Sequence, residues 1–179
     1  MAPAAMRRGA WIAGALVAGA ALVAVALHGE RPGAGFSRYE PQGVMLRLPP
    51  DRATAVEVLR DGVRWRFVRA GSGRWTTAEG SPRVAGDPTE QVELGLRFLH
   101  GSAPQRRMER EEVAGMPLAE LGLAPPRITV TVFAADQAPF AVEAGSPNPQ
   151  GYARYARVAG EVLLLNRYVV EQWEKLITP

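Results

Sequence analysis

The chain contains no cysteine. That absence removes disulfide cross-links, thiolate nucleophiles and cysteine-ligated zinc together. Histidine is scarce, with His28 and His100 alone. A Ser-His-Asp triad would have to join His100 to Ser37, Ser72, Ser81, Ser102 or Ser146, none of which has a suitable local context. No Gly-x-Ser-x-Gly elbow, no Gly-rich loop ending in Lys-Ser/Thr and no His-Glu-x-x-His occurs, so serine-hydrolase, P-loop and zinc-protease signatures are missing. Lysine is nearly missing too, since Lys175 is the only one among 21 basic residues. The pI of about 9.8 reflects that arginine content. Nineteen basic and eighteen acidic residues follow Leu27, and this balance argues against a nucleic-acid partner.

The sequence does have one long hydrophobic run. Residues 10–27, AWIAGALVAGAALVAVAL, carry no charge and follow directly on Arg7 and Arg8. As a helix they would span about 27 Å, close to the roughly 30 Å of a bilayer core. The positive-inside rule then places Met1 in the cytoplasm and the rest of the chain outside, with Trp11 at the near interface. Ala24-Val25-Ala26 also forms a small-x-small cleavage signature, so two fates are open: a retained anchor, or a signal cleaved after Ala26 that frees a periplasmic protein. Residues 1–28 are thus the anchor or signal peptide and residues 29–43, rich in Gly and Pro, a linker. Residues 44–179 form the exported domain, of a size that can bury its own core.

Strand and turn signals open that domain. Residues 44–48 and Pro49-Pro50 precede a hairpin signal. Strands are expected over 55–60 and 63–69 across Asp61-Gly62, the dipeptide of a type I′ hairpin, then over 74–77. Val63, Trp65 and Phe67 alternate with Arg64 and Arg66, giving an apolar and a charged face; a solvated outer face explains this pattern better than a nucleic-acid surface does. Asp87-Pro88-Thr89-Glu90 starts a helix with Asp87 as N-cap, Pro88 at N1 and Glu90 reaching back. Val92, Leu96, Phe98 and Leu99 face inward, Glu93 and Arg97 form an outward pair, His100 ends the helix and Gly101 stops it. Residues 105–113 read as an extended charged edge in which Glu109, Glu111 and Glu112 are solvated among arginines rather than forming a cation site.

Residues 116–123 read as one helical turn ended by Gly122 and Pro125-Pro126. Strands follow over 127–133 and 140–143, then a Gly/Pro/Asn loop over 145–151, then a hairpin of 152–158 and 161–165 across Ala159-Gly160. A last amphipathic helix covers 168–177, with Val169, Val170, Trp173, Leu176 and Ile177 inward. The expected fold class is α+β: antiparallel β-meanders each followed by a packed helix, read as two related βββα halves behind an N-terminal transmembrane helix.

Three stretches carry a family resemblance. These are the capped helix after Ala85-Gly86-Asp87, the segment Leu118-Ala119-Glu120-Leu121-Gly122-Leu123-Ala124-Pro125-Pro126 ahead of the strand 128–133, and Gly145 before Gly151-Tyr152-Ala153-Arg154. Together they resemble the bacterial family called domain of unknown function 4340, with Leu121 where that family commonly has Tyr. The resemblance implies a single-span membrane protein with an exported domain, associated with ABC transporters of the gliding-motility type. It implies no catalytic residue, so none is assigned, and neither a cofactor nor a metal is expected.

The functional expectation is a membrane-anchored, non-enzymatic accessory protein of the bacterial inner membrane, held there by residues 10–27. It would act by protein contacts with ABC-transporter or other envelope proteins. Tyr152, Arg154, Tyr155 and Arg157 are the candidate interface, because Tyr and Arg are enriched at binding hot spots. The alternative is a periplasmic ligand-binding domain or a hydrolytic one based on converging carboxylates.

Overall fold

A computed structural model describes residue 14, residues 16–24 and residues 41–178. The expectations placed on Arg7, Arg8, Trp11, the Val25-Ala26 end of the cleavage signature and linker positions 29–40 lie outside the described residues. The chain divides into two compact units, 1–40 and 41–179. In the first unit, residues 14 and 16–24 are helical, and the side chains of Leu16, Val17, Leu22 and Val23 are exposed. Among the described residues no helix is long and apolar enough to cross a membrane.

The second unit is α+β, as expected. Its strands are β1 (Ala53–Arg60), β2 (Val63–Arg69), β3 (Trp75–Thr77), β4 (Arg106–Arg107), β5 (Ile128–Ala134), β6 (Gln137–Pro147), β7 (Ala153–Val158) and β8 (Glu161–Asn166). Its α-helices are α1 (Thr89–Gly101), α2 (Arg110–Ala114) and α3 (Arg167–Ile177), and a 3-10 turn at Pro50–Arg52 leads into β1. All eight strands form one antiparallel sheet in the order β3-β2-β1-β5-β6-β7-β8-β4. The two meanders are therefore joined rather than separate. The first strand of one, β1, pairs with the first strand of the other, β5, and the second half has four strands before its helix, against three in the first.

Local chemistry sets the hairpins. Asp61 and Gly62 have φ of 51° and 76°, the double positive φ of a type I′ turn, and pair Arg60 with Val63. Ala159 and Gly160 repeat the device at 50° and 85°. Pleating then sends alternate residues to opposite faces. Val56, Val58, Phe67, Val130, Val132 and Val142 point to one face, where they meet Val92, Leu96 and Leu99 of α1 and Val169, Val170 and Trp173 of α3 in a single buried cluster. The helices touch where Gly95 passes under Trp173, since a Cβ on Gly95 would lie 2.5 Å from the indole ring. Buried Gln172 adds a bond from its Nε2 to the Gln91 carbonyl, 3.0 Å away.

The α1 start follows the expected cap in part. Asp87 accepts from the Thr89 backbone N–H at 2.9 Å and from the Thr89 hydroxyl at 2.6 Å. These two bonds, with Arg74 beside it, hold the Asp87 carboxyl below its usual value. Glu90 makes no return bond among those seen in the described residues. His100 closes the helix as expected, its Nδ1 3.0 Å from the Met45 carbonyl.

Residues 44–48, for which no element is expected, are turns and irregular backbone with Met45 and Leu48 buried in the core, and the Gly43 and Met45 N–H groups bond to the α1 carbonyls of His100 and Leu99. Several expectations are corrected by tertiary contacts. Glu93 does not pair outward with Arg97. It turns to the β2-β3 edge and receives Arg69 at 2.7 Å and Trp75 Nε1 at 2.8 Å. Within 105–113 the strand is confined to Arg106–Arg107, paired with β8, and residues 110–113 fall in α2. Residues 116–123 make a short turn closed at Gly122, as expected, with the Gly122 N–H on the Ala119 carbonyl and the Leu123 N–H on the Leu118 carbonyl. Gly122 does adopt the left-handed φ of 67°, but the close backbone approach falls at Gly145, against Leu121 and Gly122, while Gly151 borders open space.

Candidate functional site

The four candidate interface residues do not form one surface. Ala156 and Val158 belong to the helix-side core, so Arg154, in the same alternation, points there too; it ion-pairs with Glu174 of α3 and donates to the Gly145 carbonyl at 3.2 Å. Its side chain is only 11% exposed. Tyr155 and Arg157 point the other way. Tyr155 packs on a small cluster of Leu121, Leu123 and Val162 formed by the 108–123 excursion, while Arg157 pairs with Glu143 across the β6-β7 register. That hydrogen bond raises the guanidinium pKa further above its ordinary value. Tyr152 precedes β7 and is 53% exposed. Its carbonyl accepts from the Arg167 N–H at 3.0 Å; Tyr168, the next residue, is 46% exposed, with its ring edge-on to Phe98 at 4.9 Å and its hydroxyl donating to Ser102 at 3.0 Å. These are the exposed tyrosines among the described residues, and Tyr168 was not among the expected candidates.

The sheet face opposite α1 and α3 is polar along β1, β2 and β5. The β1-β2 register sets Glu57 opposite Arg66 and Leu59 opposite Arg64. Glu57 takes both arginines at 3.5 Å, and Arg66 also stacks over Phe133 at 4.8 Å. The arginine-aromatic pairing is thus satisfied within the sheet, in keeping with the solvated-face reading. Glu57, Glu93, Glu143 and Glu174, drawn from four different elements, are each held by an arginine. Among the described residues no group of three or more metal-ligating side chains gathers.

A polar cleft is the feature that sequence reasoning missed. It encloses about 510 Å³ between the end of β1, the start of β5, β7 and α3, and is lined by Arg60, Asp61, Arg127, Arg154 and Glu174. A second groove of about 650 Å³ runs along α3 past Arg167, Glu171, Lys175 and Thr178, and shares Arg60 and Glu174 with the first. By contrast, the apolar gap under Trp173 holds about 10 Å³, about the space of one water. The cleft residues come from segments up to 118 positions apart, Arg60 to Thr178, with no shared motif. Their only local signal is the arginine-for-lysine bias, which suits planar, bidentate binding of oxyanions. Comparison of this chain with protein-family models, curated proteins and solved structures finds no match to any of them.

Proposed function

We propose that this chain is a membrane-anchored accessory protein of the bacterial inner membrane, non-enzymatic, with its α+β unit exported and acting through protein contacts. The observation that carries the reading is the uncharged run 10–27 directly behind Arg7 and Arg8, which fits a span with a cytoplasmic N-terminus. The exposed Leu16, Val17, Leu22 and Val23 support it, because large aliphatic side chains in a helix call for an apolar environment. The resemblance to domain of unknown function 4340 supports an ABC-transporter or similar envelope assembly as the partner class. The β1-β5 pairing at the centre of the sheet, with α1 packed on α3, supports descent of the domain from two related halves.

The contact residue in this reading is Tyr152, an exposed amphipathic ring of the kind that anchors interfaces. Fractionation and affinity purification of the intact chain test the proposal. Expected are resistance to alkaline carbonate extraction, a mature N-terminus at Met1, and co-purification of an envelope protein that Tyr152→Ala weakens. A mature chain starting at Leu27 would overturn the tether, and absence of any envelope partner would overturn the accessory role.

A further inference from the structure

The charges of the two connected clefts do not cancel, and where they fail to cancel is specific. Three carboxylates line them, and each is matched to one arginine: Asp61 to Arg60 at 3.4 Å, Glu174 to Arg154, and Glu171 to Arg167. Two cations remain, Arg127 in the first cleft and Lys175 in the second. Neither makes an ion pair among the described residues, and both are exposed. Arg154 stands largely buried at the inner wall, fixed by Glu174 and the Gly145 carbonyl. The first cleft thus has a committed arginine at its inner wall and one uncommitted cation, Arg127, and the adjoining groove has the other, Lys175.

We propose that these clefts form a binding site for a phosphate-class dianion carried on a larger polar body. Three facts select that class. Two unpaired positive charges match a dianion. Guanidinium groups match tetrahedral oxyanions through paired N–H donors. The first cleft, at about 510 Å³ and lined wholly by charged side chains, is far larger than one phosphate and offers no apolar wall for a drug-like ring. A diphosphate, a phosphate monoester or the monoester headgroup of phosphatidic acid carries this chemistry. The inference does not depend on the tether proposed above, because it rests on residues 60–175 alone.

Lys175 provides the readout, being the only lysine in the chain. The intact protein, held in phosphatidylcholine nanodiscs, is treated with a limiting amine-reactive reagent, and labelling of Lys175 is compared with that of the Met1 α-amine by mass spectrometry. Pyrophosphate at about ten times its dissociation constant should slow Lys175 labelling about tenfold and leave Met1 unchanged, as occupancy arithmetic requires. Chloride at the same ionic strength should not.

Arg127→Glu should abolish the protection without unfolding the domain, since Arg127 has no ion-pair partner to lose; retained circular dichroism checks this. Replacing the nanodisc lipid with one containing phosphatidic acid, without pyrophosphate, separates the sources. Protection there supports a headgroup, whereas protection by pyrophosphate alone supports a soluble ligand. Equal protection by chloride, no protection in any arm, or an Arg127→Glu protein protected like the parent would overturn the site.

Discussion

The two faces of the sheet are built from the same strands one residue out of step, yet they differ in almost every physical respect. On the helix side, Val56, Val58, Phe67, Val130 and Val132 meet α1 and α3 in one continuous cluster. On the other side, Glu57, Arg64 and Arg66 are tied in ion pairs, and apolar packing is confined to Leu121, Leu123 and Val162 with a few flanking side chains. The comparison teaches that stability is concentrated on one face. The opposite face is held in register by pleating and cross-strand pairs worth fractions of a kilocalorie each.

Truncations on each side should separate the faces. Trp173→Ala removes the largest side chain that α3 sets against α1, and should cost about 3 to 5 kcal/mol in urea unfolding. Leu123→Ala, fully buried in the small cluster, should cost about 2 to 3 kcal/mol, because the 108–123 excursion can relax around the cavity. A cost equal to that of Trp173→Ala would show that the excursion is as integral as the helices. Thr131→Ala, between Glu57 and Ala141 on the polar face, should shift stability by no more than about 0.5 kcal/mol. A larger loss would mean that this face is covered.

The smallest effect concerns the α1 cap and depends on pH. The folded-state pKa of Asp87 is lowered, first by the Thr89 hydroxyl and backbone N–H and then by Arg74. Its contribution is therefore present above the ordinary carboxylate value of 3.8 and fades as pH falls through the lower folded value. Denaturation midpoints recorded from pH 7 to pH 2 should drop slightly more steeply for the parent protein than for Asp87→Asn. Parallel curves would remove the cap's ionic role.

Much of the local structure could be read from particular residues. Asp61-Gly62 announced its turn because two positive φ angles are costly for most other pairs. The inward sets on α1 and α3 followed from helical spacing, and the placement of Trp65 and Phe67 opposite Arg64 and Arg66 followed from pleating. Glu93 was misread because the i,i+4 partner Arg97 is visible in sequence, whereas Arg69 and Trp75 reach it only once β2 and β3 lie beside α1. The interface candidates failed to assemble for a simpler reason: neighbours on a strand point to opposite faces, so Arg154 and Tyr155 cannot share one. The cleft was invisible because four separate segments build it.

By itself, the sequence determined what nearest neighbours along the chain control: the α+β class, the hairpin turns, the helix stripes and the missing cysteine and histidine chemistries. Dihedral preference and side-chain period act over a few residues, so they survive without knowledge of the fold. Only the tertiary structure decided that the two meanders share one sheet through β1 and β5, that 108–123 covers the far end of its polar side, and that Arg60 and Glu174 join the cleft of Arg127 and Arg154 to the groove of Lys175. These depend on contacts between residues far apart in the chain, where burial and charge pairing outweigh local preference.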